Sequence, residues 1–349
     1  MSVPKGKLVT IDIGSSWTKV FVIDHDRGNK LAIGGSYSLP TSSGDLKLSI
    51  EEIFQKLKII PKENVLLFSS SFEEADSLAS DYKGIFVPLA EIKKNLGVWL
   101  KQQGYPNCKF FDAGSDIFKA DYKVNELGAF LSFSFGEIDL ENHLANRAMH
   151  FHTLAETQKE METDRAVIRS ALAKLEDSLN EASNVLMTGA LVAAQTKFSK
   201  LALVMLDVLS PHKVAEVLVD TKNFANSWGA AITKYKELLD FEIDFVEKLG
   251  SFVSLGGEGT VGLDYGLKNV QEVKVAENEI ALIPANEEQE VQVEFSIGKE
   301  KRKVETGGGH YGILLDGRKK PLPLIFGQSS SQKAMLKWEE AIEKVELIK

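Results

Sequence analysis

The chain has one cysteine, Cys108, in 349 residues. It can build no internal disulfide and no thiolate metal centre, which suits a reducing compartment. Proline is scarce, at 9 residues, and glycine is ordinary at 27, which excludes collagen-like and proline-rich low-complexity chains. No long apolar run occurs: residues 201–209 form the most apolar helical stretch, Asp207 interrupts it, and a bilayer span needs ~20 residues. The opening segment has an acid inside its short apolar run and no small-residue cleavage signal after it, so a cytoplasmic location is expected. Basic charge is in deficit, 41 Lys and Arg against 50 Asp and Glu for a net charge of -9, which argues against a nucleic-acid partner. The sequence also lacks the lysine-containing glycine loop of P-loop enzymes and any Gly-x-Gly-x-x-Gly opening a helix.

What is present is an ordinary globular composition, 44% apolar and 26% charged, on a chain longer than one core usually serves. Apolar runs predict strands at 8–14, 19–24, 31–38 and 64–70, the first three as a meander, and a helix over 89–103 with Ile92, Leu96, Trp99 and Leu100 on one face. Residues 109–112, 117–124 and 128–135 read as a second meander, an internal repeat of the first. Helices at 144–154 and 164–179, a strand at 184–188, a helix at 199–209, a strand at 216–219 and a helix N-capped by Asn226 complete an α/β unit. Beyond residue 240 the pattern becomes β-rich, with strands at 280–283, 290–297 and 311–315. The expected organisation is a core over 1–240, a β-rich module over 241–330 and a C-terminal helix over 331–349.

The chemistry concentrates in Asp12-Ile-Gly-Ser-Ser-Trp-Thr-Lys19, a turn between two strands. An acid at a strand end can hold hydrated magnesium, which prefers one or two carboxylates and keeps several waters. Gly14 admits close backbone approach, Ser15, Ser16 and Thr18 can form an anion-binding concavity, and Lys19 adds a point charge. The same residues also make a plain hairpin turn. A second strand-end acid in Asp112-Ala-Gly-Ser-Asp116 makes a pair of facing turns able to grip a phosphate chain and its ion from both sides, using Asp112, Gly114 and Ser115. Thr188, Gly189 and Ala190, where a strand enters a small-residue turn, are the candidates for the base and ribose, with Gly189 leaving room for a planar ring.

These residues resemble the actin, sugar kinase and heat-shock-70 superfamily, the turns at Asp12–Lys19 and Asp112–Asp116 its two phosphate motifs and Thr188–Ala190 its adenosine motif. Within it the chain is similar to the glutamate-mutase-associated MutL family, unrelated to the mismatch-repair protein of that name. The similarity lies in DIGSSWTK, VLLFSSS at 65–71, VLMTGALVAA at 185–194, the run at 210–231 and GGGHYGILLDGRKKPLPL at 307–324. The resemblance implies an actin-like, ribonuclease H-like bilobed α/β core with ATP and Mg²⁺ between the lobes, the metal near Asp12 and Asp112. It also implies a protein partner, such as a cobalamin-dependent mutase. Two departures stand out: only about 40 residues separate Ser71 from Asp112, and the second turn is poorer in Gly and Thr than the family's.

Water orientation for hydrolysis falls to Glu137, in a loop after the second expected meander, although an acid there also suits a helix N-terminus. A small-molecule kinase using Asp116 as base, and a self-associating actin-like filament subunit, are the alternative functions. His143, His150 and His152 are close in sequence, but His143 and His150 on one helix would stand ~10 Å apart along its axis, too far for one zinc. Gly307-Gly-Gly-His-Tyr311 is expected as a turn in the β-module, and Asp316-Gly-Arg-Lys-Lys-Pro321 as a hairpin turn with basic flanks and no chemistry.

Overall fold

The computed structural model describes residues 7–25, 31–41, 45–72, 74–150, 153, 155–195, 197–241, 243–266, 270–297 and 300–346. The first lobe runs β1 (Leu8–Ile13), β2 (Trp17–His25), β3 (Leu31–Pro40), α1 (Leu46–Leu57), β4 (Val65–Ser70), α2 (Glu74–Asp81), β5 (Ile85–Phe86) and α3 (Leu89–Gln102). Its five-stranded sheet has the order β3-β2-β1-β4-β5, with β1 antiparallel to β2 and parallel to β4. Every residue of β1 is buried, as a central strand covered on both faces requires. One face packs on Ile50, Ile53 and Phe54 of α1 and Ala75 and Ala79 of α2.

The second lobe runs β6 (Cys108–Asp112), α4 (Val124–Gly128), α5 (Glu137–Met149), α6 (Gln158–Ala173), α7 (Glu176–Glu181), β7 (Asn184–Thr188), α8 (Ala190–Ala193), α9 (Phe198–Val208), β8 (Lys213–Asp220) and α10 (Ala225–Lys234). The chain continues with β9 (Val246–Ser254), β10 (Gly259–Asp264), β11 (Val270–Val275), β12 (Ile280–Ile283), β13 (Glu290–Ile297), β14 (Glu300–Gly307), β15 (Ile313–Asp316) and α11 (Ser329–Glu346). The strands after residue 240 divide between two sheets. β9, β15 and β12 extend the second lobe into a six-stranded sheet, β12-β15-β9-β8-β7-β6, while β11-β10-β13-β14 form a separate antiparallel sheet. That small sheet buries Val261, Leu263, Val291 and Phe295 against Val253, Ile313 and Leu315 of the larger one.

The second meander does not form. After β6 the chain enters a 3₁₀ turn, Ser115–Lys119, then α4 and an irregular stretch up to α5. The apolar residues that read as strands, Phe118, Leu127 and Leu131 among them, pack instead into the core shared with α6 and α9. Glu162 of α6 holds the stretch by accepting from the amide and hydroxyl of Ser132 at 3.2 and 2.5 Å. β6 thus stands at a sheet edge where the first lobe places β2 and β3.

Between the two large sheets lies one layer made by α3 and α10. A single apolar cluster runs from Leu8, Phe21 and Leu67 through Ile92, Trp99 and Trp228 to Leu186 and Leu218. The Trp99 and Trp228 rings meet edge to face at 5.9 Å, and Trp99 Nε1 donates to the Phe241 carbonyl at 3.2 Å. Gly229 lets α10 approach Ile92 of α3 closely, since a Cβ there would stand 2.5 Å from Ile92 Cγ2. Among the described residues no helix is long and apolar enough to cross a membrane.

Candidate functional site

Asp12, next to last in β1, and Asp112, last in β6, line one cavity of about 200 Å³. Lobe one supplies Asp12, Gly14, Ser15, Ser16, Trp17 and Lys19; lobe two supplies Asp112, Gly114, Asp116, Gly189 and Ala190. The sheet register explains the first set. Asp12 faces Lys19 across β1–β2 and Ser69 across β1–β4, so its carboxylate receives Lys19 Nζ at 2.8 Å and Ser69 Oγ at 3.1 Å. Burial alone would lower the Lys19 ammonium. The Asp12 carboxylate, with Asp112 and Asp220 adding their fields, outweighs it and holds the group above its ordinary value.

The turn is closed by Gly14 N donating to the Trp17 carbonyl at 3.0 Å. Thr41, just past β3, braces it from outside: its amide donates to the Ser16 carbonyl at 2.7 Å, its hydroxyl to the Gly14 carbonyl at 2.8 Å, and its Oγ1 lies 3.1 Å from Thr18 Oγ1. The Thr18 hydroxyl, expected to face an anion, is therefore turned to Thr41 and does not line the cavity. Ser16 behaves oppositely. It is buried, lines the cavity, and its Oγ has no hydrogen-bond partner among the described residues.

On the second lobe Asp112 is solvent-exposed at the cavity, yet the surrounding protein crowds it. Removal from bulk water is the largest effect on its carboxyl and raises it, the Asp12 charge adds to this, and Lys19 opposes both. Gly189 is required for a different reason from the one the sequence suggested. At φ 104° its missing Cβ would lie 2.6 Å from Ala113 C and from Asp112 Oδ1. The space a side chain would need there is taken by the chain's own second turn. Thr188 is drawn away from the cavity, its Oγ1 donating to Asp220 Oδ2 at 2.7 Å. Ser115 opens the 3₁₀ turn, and its side chain lies outside the described residues.

Asp220 and Asn223 were not singled out in the sequence, and Asn226 was read there only as a helix N-cap. Asp220 is a third strand-end acid, at the end of β8 and fully buried. It accepts from Lys222 N at 3.1 Å, Phe224 N at 3.0 Å and Ala225 N at 2.8 Å. Burial raises its carboxyl against the pull of those amides, the Thr188 hydroxyl and Lys19. Asp220, not Asn226, thus serves the first amides of α10, and Asn226 lies inside that helix. This frees Asn226, and with it Asn223 at φ 52°, to line the cavity. The signal was legible in Val-Leu-Val-Asp220, an apolar run leading into an acid as residues 8–12 do.

Glu137 is exposed as the first residue of α5 and is not part of the cavity lining. No group of three or more His, Cys, Asp or Glu gathers as a metal site among the described residues, and His152 lies outside them. Two acidic turns facing each other across one cavity, with the first lobe built on the β3-β2-β1-β4-β5 order, define an α/β protein of the actin-like, ribonuclease H-like class.

Solved structures similar to this chain include the activator of 2-hydroxyisocaproyl-CoA dehydratase from Clostridium difficile with bound ADPNP, 12% identical over 66% of this chain and 95% of that one, at a TM-score of 0.40. A ROK family glucokinase from Streptomyces griseus in complex with glucose and AMPPNP is 13% identical over 65% and 98%, at 0.38. The ethanolamine utilization protein EutJ from Carboxydothermus hydrogenoformans is 11% identical over 67% and 92%, at 0.37. No family model matches the chain, and no curated protein matches it.

Proposed function

We propose that the chain binds ATP with Mg²⁺ between its lobes and passes the resulting lobe closure to a protein partner. The observation that carries this reading is the buried, unpartnered Ser16 hydroxyl, set in a cavity that Lys19, Asp112 and Asn226 also line. A buried hydroxyl left without a partner costs free energy that a phosphate oxygen would recover. At about 200 Å³ the cavity suits a phosphate chain and ion better than a whole nucleotide, so the base and ribose extend past Gly189 and Ala190.

Asp112, open to the cavity, would hold the magnesium, with Asp12 reached through water because Lys19 and Ser69 occupy its oxygens. When bound, the ion would neutralise phosphate charge. Lys19 contributes a fixed positive charge from the lobe-one wall, and Ser16 orients a terminal oxygen. For hydrolysis, Asp112 and Asp116 are the acids at hand to orient a water, since Glu137 stands outside the lining. The partner suggested by the MutL resemblance is a cobalamin-dependent mutase, and maintenance of such an enzyme is the finer reading.

Calorimetric titration of the full chain with ATP, with and without magnesium, tests the proposal. Ser16→Ala and Lys19→Met should each weaken ATP roughly tenfold or more, equivalent to about 1.4 kcal/mol. Asp112→Asn should remove the magnesium-dependent part of the affinity. Absence of binding at millimolar ATP would sink the reading.

A further inference from the structure

A larger cavity, about 920 Å³, lies between α4, the last turn of α6, the end of α9 and residues 320–326. It shares no residue with the phosphate cavity. Its apolar wall is made by Phe130, Leu322, Leu324, Ile325 and Phe326, and Ile325 is 55% exposed there. Its polar side holds Arg169, whose guanidinium lies over the Phe130 ring, together with Lys320, Lys174, Asp207, Glu126 and Glu176.

Behind Arg169 sits a buried ion cluster. Arg318, wholly buried, donates from Nη1 to Asp207 Oδ1 at 2.7 Å and from Nε and Nη2 to the two oxygens of Asp316 at 2.7 and 3.0 Å. Lys320 reaches Asp316 Oδ2 at 3.3 Å and the carbonyls of Leu206 and Leu209 at the end of α9. Arg169 is left with Asp207 Oδ2 at 3.7 Å, and its buried Nε has no hydrogen-bond partner among the described residues. Three cations therefore share two carboxylates.

The neighbouring charges do not correct this imbalance. Glu126 pairs with Lys123, and the carboxylate of Glu176, which accepts from Ser210, is matched in charge by the ammonium of Lys174 over the Tyr122 ring. On the inner side Arg165 pairs with Glu162 and Lys200 with Glu339. The surplus positive charge rests on Arg169 at the cavity surface. Burial pulls its guanidinium down to about 10, with Asp207 opposing and Arg318 assisting. A partly desolvated cation without a full counter-charge is costly, and a carboxylate matches a guanidinium by parallel hydrogen bonds.

We infer that this cavity is a second ligand site, independent of the nucleotide reading, for a monoanionic carboxylate with an apolar body. Arg169 holds the carboxylate, and Phe130, Leu324 and Phe326 cover the body. One missing negative charge sets the ligand's charge, and the wall sets its apolar character.

The test is calorimetry on the full chain with octanoate, 1-octanol and inorganic phosphate. Octanoate should bind one to one and at least tenfold more tightly than octanol, with phosphate weaker than both. Arg169→Met keeps an unbranched stem against Phe130 and should reduce octanoate to the level of octanol while leaving ATP titration and melting unchanged. Ile325→Glu, at an exposed position where folding is not at stake, should weaken octanoate about tenfold by like-charge repulsion. No octanoate binding in the millimolar range, or equal binding by Arg169→Met, would overturn the assignment. Phosphate binding as tightly as octanoate would overturn the apolar part of it.

Discussion

Both lobes carry an aspartate at or next to the end of their first strand, and they hold it by different means. In lobe one, pairing on both sides of β1 brings Lys19 and Ser69 to Asp12, and Thr41 braces the turn from outside. In lobe two, β6 is an edge strand, and the Asp112 turn is shaped by contact with the backbone at Gly189. The difference extends to packing. Helices α1 and α2 cover lobe one with apolar side chains, whereas lobe two adds buried ion pairs, Arg147 with Asp164 and Arg318 with Asp207 and Asp316. A strand that pairs on both sides preforms its acid, while an edge strand leaves its acid to the neighbouring backbone at Thr188 and Gly189.

The largest expected break in that comparison is Arg318→Met. It leaves Asp207 and Asp316 buried without their shared cation, and urea unfolding should show a loss of about 3–5 kcal/mol. Gly189→Ala forces a Cβ against Ala113 at a backbone angle that L-residues rarely adopt. It should cost about 2–4 kcal/mol in the same measurement, and a neutral result would mean the second turn is not shaped by that contact. Thr18→Val in lobe one removes only the link to Thr41, for about 1 kcal/mol, and should leave ATP affinity within twofold.

The smallest effect is a pH dependence in lobe two. The capping-box carboxylate of Glu160 accepts from the amides of Thr157 and Glu156, which hold it below its ordinary value of 4.5. Since the folded value is depressed, the unfolded chain takes up the proton first. The stabilisation is complete above pH 4.5 and fades as pH falls through the lower folded value. The melting-temperature gap between the wild type and Glu160→Gln should be steady near neutrality and close in acid. A gap that widens in acid would contradict this.

Lobe one was legible because its strands are short apolar runs whose pattern allows one outcome: 8–14, 19–24, 31–38 and 64–70 match β1 to β4 within a few residues. The stretch 117–135 was misread because Ile117, Phe118, Val124 and Phe130 suit strands locally, while burial against α6 and α9 decided their conformation. Arg318 read as an exposed turn residue, since its partner Asp207 lies 111 positions earlier and leaves no local trace. In the two acidic turns the sequence located backbone that lines the shared cavity. It could not tell that Thr18 and Thr188 turn outward to Thr41 and Asp220, because hydroxyls donate equally well to protein and to ligand.

The layer of α3 and α10 has a consequence for dissection of the molecule. Trp99 and Trp228 are wetted if either sheet is removed, because each sheet roofs one side of the same helical pair. Neither half expressed alone retains a sealed interior, so a chain severed near residue 104 yields fragments that fold only when mixed, and heating the intact protein melts both halves in one calorimetric transition.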